Sequence, residues 1–262
     1  MAEQQQMRFG DGAAYERMMG TWSRHAGGIF LDWLAPRPGQ RWIDIGCGNG
    51  AFTELLVERC APTEVHGVDP SEGQLDFARS RPCGALAEFH QGNAVALPFP
   101  ESRFDAAIMA LVIFFVPDPA KSVAEMVRVV GSGGSVATYA WDILGGGLPL
   151  EPIQVELRAM GITPPLPPRS DASRMDALLD LWTGAGLDAI ETREIAVQRT
   201  FADFDDFWTT TLISSLGPLV AAMSPSGIEL LKTRVRTRLP ADALGRITYE
   251  ARANAIAGCV SK

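Results

Sequence analysis

Asp44 stands two residues before Gly46 in the run Trp42-Ile43-Asp44-Ile45-Gly46-Cys47-Gly48-Asn49-Gly50. A short apolar stretch feeding into Gly-x-Gly-x-Gly, with an amphipathic helical pattern behind it, reads as the strand–turn–helix of a nucleotide-binding α/β fold. Glycines in such a turn let the backbone approach a ligand closely. The acid discriminates between ligands. A pyrophosphate is repelled by a carboxylate at close range, whereas a ligand carrying an ammonium and a sulfonium, such as S-adenosylmethionine, is attracted. The glycine spacing alone also satisfies the dinucleotide fingerprint, as Gly46-x-Gly48-x-x-Ala51, so an NAD-dependent oxidoreductase stays open at this point.

Asp69 is the second acid of interest. It ends the apolar run Glu64–Asp69, nineteen residues beyond Gly50, where a carboxylate can accept both hydroxyls of an adenosine ribose. NAD and S-adenosylmethionine would use it alike, and an acid opening a turn at Asp69-Pro70 is the plainer alternative.

These residues need a scaffold, and the periodicities supply one. Residues 13–34 read as a helix closed by Pro36 and Pro38. Strands are expected at about 41–45, 64–69, 85–90, 104–110 and 135–141, with helices near 51–60 and 119–130. Ser71-x-x-Gln74 has the form of a capping box for a further helix. Alternation of this length predicts an α/β, Rossmann-like, doubly wound and mostly parallel sheet with helices on both faces. After Trp141 the rhythm breaks: Gly145-Gly146-Gly147 and six prolines between 149 and 168 suggest an irregular insertion. A helix over 171–185, a strand over 188–200, helices over 203–213 and 225–238 and an extended stretch over 246–260 complete the chain. The expected organisation is a single domain. Residues 1–142 form the cofactor core with an N-terminal lid helix, and residues 143–262 finish the seven-stranded sheet and add a helical acceptor-site cap.

Composition removes several function classes. The net charge of −8 argues against a broad nucleic-acid surface. Lys232, Arg234, Arg236 and Arg238, spaced by two, run around a helix rather than along one face. Cys47, Cys60, Cys83 and Cys259 form no CxxC pair, and with three histidines no metal site is expected. No apolar run reaches membrane-spanning length and the polar start lacks the features of a signal peptide, so a cytoplasmic protein with reduced thiols and no membrane partner is expected.

Taken together, several motifs resemble the class I S-adenosylmethionine-dependent methyltransferases, in particular the small-molecule "type 11" group that includes quinone-biosynthesis enzymes. They are Asp44-Ile45-Gly46-Cys47-Gly48-Asn49-Gly50, Gly67-Val68-Asp69-Pro70-Ser71, Leu97-Pro98-Phe99 with Phe104-Asp105, Phe115-Val116-Pro117-Asp118-Pro119, Glu125-Met126-Val127-Arg128-Val129-Val130 and Gly133-Gly134. The likeness spans roughly residues 13–142. It implies that Gly46, Cys47, Gly48, Asn49 and Gly50 pass along the methionine and sulfonium portion. Asp44 would hold the ammonium, and Asp69, next to Pro70, the ribose. The family's acid after the third strand, which faces the adenine amine, is replaced here by Asn93, followed by Ala94. An amide oxygen still accepts, without charge assistance. Gly131-Ser132-Gly133-Gly134 departs from the family's usual Lys-Pro-Gly-Gly and reads as a turn variation.

The resemblance further implies that Tyr15 and Trp22 on the N-terminal helix pack on the cofactor and that Arg24 meets its carboxylate; burial of that helix in the core is the competing reading. Ala110, Leu111 and Val112, at the end of the fourth strand, would border the cleft. Methyl transfer from a sulfonium demands no fixed catalytic side chain. If the acceptor needs deprotonation, His25, Tyr139 and Asp142 are the candidate bases. A small-molecule methyl acceptor of apolar or aromatic character is suggested by Phe204, Phe207, Trp208, Leu212, Leu216 and Leu219, with packing of a cap as the alternative. A non-catalytic protein that binds S-adenosylmethionine or S-adenosylhomocysteine is the rival from another class.

Overall fold

The computed structural model describes residues 16–261; Tyr15 lies outside the described residues. A π-helical turn, Glu16–Gly20, leads into α1 (Thr21–Leu34). There follow β1 (Arg41–Ile45), α2 (Ala51–Cys60), β2 (Glu64–Asp69), α3 (Glu72–Ser80), β3 (Glu88–Gln91), β4 (Phe104–Ala110), α4 (Pro119–Val129) and β5 (Val130–Trp141). The remainder comprises α5 (Glu151–Ala159), α6 (Met175–Gly184), β6 (Leu187–Phe201), α7 (Phe204–Thr211), α8 (Leu216–Ala221), α9 (Pro225–Arg238) and β7 (Ile247–Val260).

The seven strands form one sheet in the order β3-β2-β1-β4-β5-β7-β6. β1 runs parallel to β2 and β4, β2 to β3, and β4 to β5, while β7 is antiparallel to β5. This is the Rossmann-like, mostly parallel α/β sheet that the sequence predicts. The inner strands are apolar almost throughout because helices cover both faces: Ile43, Ile45 and Ile108 are fully buried. The strand order reverses between β1 and β4. In open α/β sheets ligands bind beyond the carboxyl ends of the strands at such a switch point.

Four local expectations change. Ser71 caps α3 without a side-chain hydrogen bond; Asp69 Oδ1 accepts the Ser71 N–H instead, at 2.9 Å, so the capping box is not formed. β5 begins at Val130. Phe104 pairs with Val130 and Ala106 with Ser135, so residues 131–134 bulge opposite Asp105, and the glycine-rich turn is absorbed into the strand. The proline-rich insertion contains α5, because Pro152 sits in its first turn, where a missing N–H costs nothing. Residues 170–173 form a separate 3-10 turn ahead of α6.

The chain divides into two compact units, each assembled from several stretches of sequence. The larger comprises Ser23–Leu148, Pro167–Val197 and the chain from Ala251 onward. Within it α1 packs on α2 and β5: the Phe30 ring lies 4.8 Å from that of Tyr139, and Arg59 reaches the Gly28 carbonyl and Asp32. Trp182 on α6 donates to the Val136 carbonyl at 3.0 Å, fixing that helix to β5.

The smaller unit comprises the described residues up to Trp22, Pro149–Leu166 and Gln198–Glu250. Its core is aromatic, with Tyr249 in contact with Trp22, Phe201 and Phe207. Arg199 donates to the carbonyls of Arg17 and Met18 at the π-helical turn. The basic run on α9 does go around the helix. Arg234 and Arg238, one turn apart, both grip Glu156 on α5, while Arg236 lies over Phe204 and Lys232 over Trp208. Among the described residues no helix is long and apolar enough to cross a membrane.

Candidate active site

The most buried charge-bearing group of the larger unit is Asp44. β1 carries it between Gly67 of β2 and Ile108 of β4, with no exposed surface. Its Oδ2 accepts from Thr53 Oγ1, in the first turn of α2, at 2.6 Å. Its Oδ1 is buried with no hydrogen-bond partner among the described residues. Burial pushes the carboxyl up to about 7; the Thr53 bond opposes that rise and the charge of Asp69 adds to it. An unsatisfied buried polar atom costs ~1–3 kcal/mol, so the site is relieved by a cationic donor and worsened by an anion.

The turn after β1 is fixed from outside. Gly46 and Cys47 both donate to the Val68 carbonyl, at 2.7 and 3.1 Å, and Gly48 donates to Asp69 Oδ2 at 3.0 Å. Gly46 has φ +72°, and a Cβ there would lie 2.4 Å from Val112 Cγ1. Gly48 has φ +52°, and a Cβ there would meet no atom of the described residues within 4 Å. One glycine is therefore pressed against the end of β4, and the other looks into open space where a ligand can approach its backbone. Gly50 donates to the Cys47 carbonyl at 2.9 Å and opens α2.

Two residues of this turn serve the scaffold. The Cys47 side chain is buried with Leu75, Ala78, Cys83 and Phe89, and burial holds its thiol far above the ordinary range. Asn49 is buried; its Oδ1 accepts from Ala51 N and its carbonyl from Arg81 Nε at 2.6 Å, with Arg81 also paired to Glu54.

At the end of β2, Asp69 holds the turn through Gly48 and its own exit through Ser71. Burial raises its pKa, and the two N–H donors work against that rise. Pro70 is exposed, and its carbonyl accepts from Gln91. Beyond β3, Asn93 is exposed and folds on itself, its Oδ1 taking the Val95 N–H at 3.1 Å; Ala94 is half-buried. Ala110 ends β4, and Leu111 and Val112 follow it; all three are half-buried. Leu111 has φ +62° and donates to the Tyr139 carbonyl at 2.9 Å. A bulky residue in the left-handed region is strained, and strain of this kind gathers at functional crevices. Asp44, the glycine turn, Asp69 and residues 110–112 thus meet at the carboxyl ends of β1, β2 and β4.

The other sequence candidates have different neighbours. Trp22 is buried in the smaller unit, 5.0 Å from Tyr249. Arg24 is exposed and bonded to Glu58 at 2.6 Å, and His25 is exposed on the same helix. Tyr139 is buried against Phe30 and Phe52. Asp142 accepts from Arg252 at 3.0 Å and from Gly145 N at 3.1 Å, tying the turn after β5 to β7. Of the apolar cap residues, Phe207 and Leu216 are fully buried in the smaller unit and Trp208 nearly so, so much of that apolar surface serves packing. Thr53 and Arg81 were missed. Thr53 leaves a trace in the sequence, a lone hydroxyl beside Leu55 and Leu56, whereas Arg81 reaches Asn49 from 32 residues away with no local signal.

Comparison with known proteins agrees with this geometry. Residues 43–138 match the family described as "Methyltransferase domain". The matched segment is thus similar to a methyltransferase domain. It contains Asp44, the glycine turn, Asp69, Asn93 and residues 110–112. The chain is 38% identical over 103 residues to a demethylmenaquinone methyltransferase of Symbiobacterium thermophilum, covering 37% of this chain and 41% of that protein. It is 34% identical over 129 residues to an uncharacterised methyltransferase of Mycobacterium tuberculosis, covering 49% of each. The chain thus spans less than half the length of these curated relatives. Among solved structures, the YcgJ protein of Bacillus subtilis superposes with a TM-score of 0.61 at 18% identity, over 91% of this chain and 99% of that one. A Haemonchus contortus phosphoethanolamine N-methyltransferase in complex with S-adenosyl-L-methionine gives 0.57 at 18% identity, over 95% of this chain and 56% of that one. At such identities the likeness is one of fold.

The residues at this site fit S-adenosylmethionine. The orphaned Oδ1 of Asp44 suits an ammonium, and the open face at Gly48 admits a ligand against backbone.

Proposed function

We propose that this chain transfers the methyl group of S-adenosylmethionine to a small apolar or aromatic acceptor. The observation that carries this reading is the buried, unpartnered oxygen of Asp44 beside an open glycine turn. A pyrophosphate placed there would meet a buried carboxylate; an ammonium would satisfy it.

When bound, the cofactor supplies a methyl group on a sulfonium, which departs as a neutral thioether. The protein's part is to position and to exclude water. Asp44 Oδ1 would accept from the ammonium, and the backbone at Gly48 would meet the methionine portion. Asp69 keeps lone pairs on both oxygens for the ribose hydroxyls while its N–H donors hold it in place. Asn93 and Ala94 would meet the adenine edge. Leu111 and Val112 wall the crevice. No general base is assigned: Asp142 is committed to Arg252 and Gly145, and Tyr139 is packed between aromatic rings. The aromatic acceptor class draws support from the relatives named demethylmenaquinone methyltransferases.

The test is incubation of the purified protein with methyl-labelled S-adenosylmethionine and a panel of reduced quinols, phenols and amines, read by mass spectrometry. A labelled aromatic product bears the proposal out. Tight binding of the cofactor with no turnover across the panel would favour the non-catalytic binding protein. Calorimetric binding of NAD in place of the sulfur ligands would overturn the cofactor assignment. In the same assay Asp69→Ala should weaken S-adenosylhomocysteine binding at least about tenfold, or ~1.4 kcal/mol. Unchanged affinity would remove Asp69 from the site.

A further inference from the structure

The two strands that end at Asp69 and lead to Asn93 carry a cluster that the methyl-transfer reading does not use. β2 and β3 are parallel with His66 opposite Glu88 and Val68 opposite His90. Side chains alternate along a strand, so His66, Glu88 and His90 share one face of the sheet. His66 Nδ1 lies 2.7 Å from His90 Nε2, and Glu88 Oε2 lies 3.8 Å from each of those nitrogens. We propose that His66, His90 and Glu88 bind one divalent transition-metal ion.

The separations suit a common centre. Metal–nitrogen and metal–carboxylate bonds of ~2.0–2.2 Å at tetrahedral angles put ligand atoms ~3.3–3.5 Å apart. The observed 2.7 and 3.8 Å bracket that value, so modest side-chain rotation is enough. Outer partners are already in place. His66 Nε2 contacts Glu64 Oε1 at 2.6 Å, and that same carboxylate oxygen is bonded by Arg103. A carboxylate on the far nitrogen of a histidine fixes its tautomer and makes its other nitrogen a better ligand. With the Nε2 proton held by Glu64, the lone pair of Nδ1 faces His90 and Glu88.

Aromatic rings flank the imidazoles and leave one side open. Phe99 stands edge-on to both imidazoles, at 5.2 and 5.1 Å, and Phe104 to His66 at 5.4 Å. His66 is buried, His90 half-buried and Glu88 exposed, so an ion reaches the site from solvent and keeps a position for water. Two imidazoles and one carboxylate select zinc, cobalt, nickel or copper over magnesium or calcium. An ion here would clamp the edge strand β3 to β2, three residues before Asp69 on one and three before Asn93 on the other. This revises the sequence expectation of no metal. His66 lies 22 residues before Glu88 and 24 before His90, and only strand register brings it to that pair.

Chelator-treated protein of this sequence, titrated with cobalt(II) and followed by visible absorption, tests the proposal; zinc then serves as competitor. One equivalent should bind with a dissociation constant of about 10 μM or below, some −7 kcal/mol, and zinc should displace it and raise Tm. His90→Gln and Glu88→Gln should each weaken binding about tenfold or more and remove the zinc-dependent Tm shift. Glu88 is exposed, so its variant keeps the fold even if the histidine variant does not. Glu64→Gln, which retains all three ligands, should weaken binding by ~10-fold or more through orientation alone. Absence of saturable cobalt binding at ~100 μM, about −5.5 kcal/mol, would overturn the proposal. So would unchanged affinity in Glu88→Gln.

Discussion

Gly46→Ala will destabilise the chain by roughly 2–5 kcal/mol, whereas Gly48→Ala will cost only ~1–2 kcal/mol and yet abolish cofactor binding. Both residues lie in the same turn at positive φ, +72° and +52°, so both alanines pay for a left-handed backbone. They differ in what the new methyl meets. At Gly46 it would lie 2.4 and 2.7 Å from the two Val112 methyls, which are held by the strained Leu111 at the end of β4. That overpacking adds ~1–3 kcal/mol because neither strand end can retreat. At Gly48 the methyl meets no atom of the described residues within 4 Å. Urea unfolding reads the first effect and calorimetry with S-adenosylhomocysteine the second. A Gly48→Ala protein that binds as the wild type does would show that the open face is not where the ligand lies.

Asp44→Asn should weaken S-adenosylmethionine binding by about 30- to 100-fold at neutral pH, ~2–3 kcal/mol, the loss expected on removing the charge from a buried charge-assisted hydrogen bond. Asparagine retains an acceptor for Thr53, so the fold persists. The wild-type pH dependence has a definite sign. The Asp44 carboxyl is raised to about 7 by burial, with Asp69 pushing it the same way, while Cys47 and Cys83 beside it are held as neutral thiols. An ammonium favours the ionised form, so Asp44 must shed its proton to bind. Affinity should therefore rise between pH 6 and pH 7.5, with proton release that calorimetry in buffers of different ionisation enthalpy detects.

Stability of the free protein should move the other way. From the unfolded carboxylate value of ~3.9 up to about 7, the native state binds the extra proton. The Asp44 contribution to stability is thus fully present below that window, declines as pH rises through it and levels off above it. Asp44→Asn should flatten both profiles. A variant whose affinity keeps the wild-type pH dependence would separate Asp44 from the cofactor ammonium.

The sequence determined the parts governed by local periodicity and backbone chemistry. Strands β1, β2 and β4 fall where their apolar runs place them, because a buried parallel strand must be apolar on both faces. The glycine turn was legible because few residues other than glycine tolerate its backbone, and Asp44 because an acid inside an apolar run is anomalous. The capping of α3, the bulge that lengthens β5 and the helix α5 were not legible, since each depends on a partner outside its own segment or on a proline that can open a helix as well as end one. Tertiary structure alone decided how the polar groups are spent. It gave Asp69 a second task in holding Gly48, placed the Cys47 thiol in the core, committed Asp142 to Arg252, and left one oxygen of Asp44 without a partner among the described residues. It also set His66 against His90 and Glu88. Hydrogen bonds and metal ligands are satisfied in space, and residues more than twenty positions apart leave no trace of their pairing along a single chain.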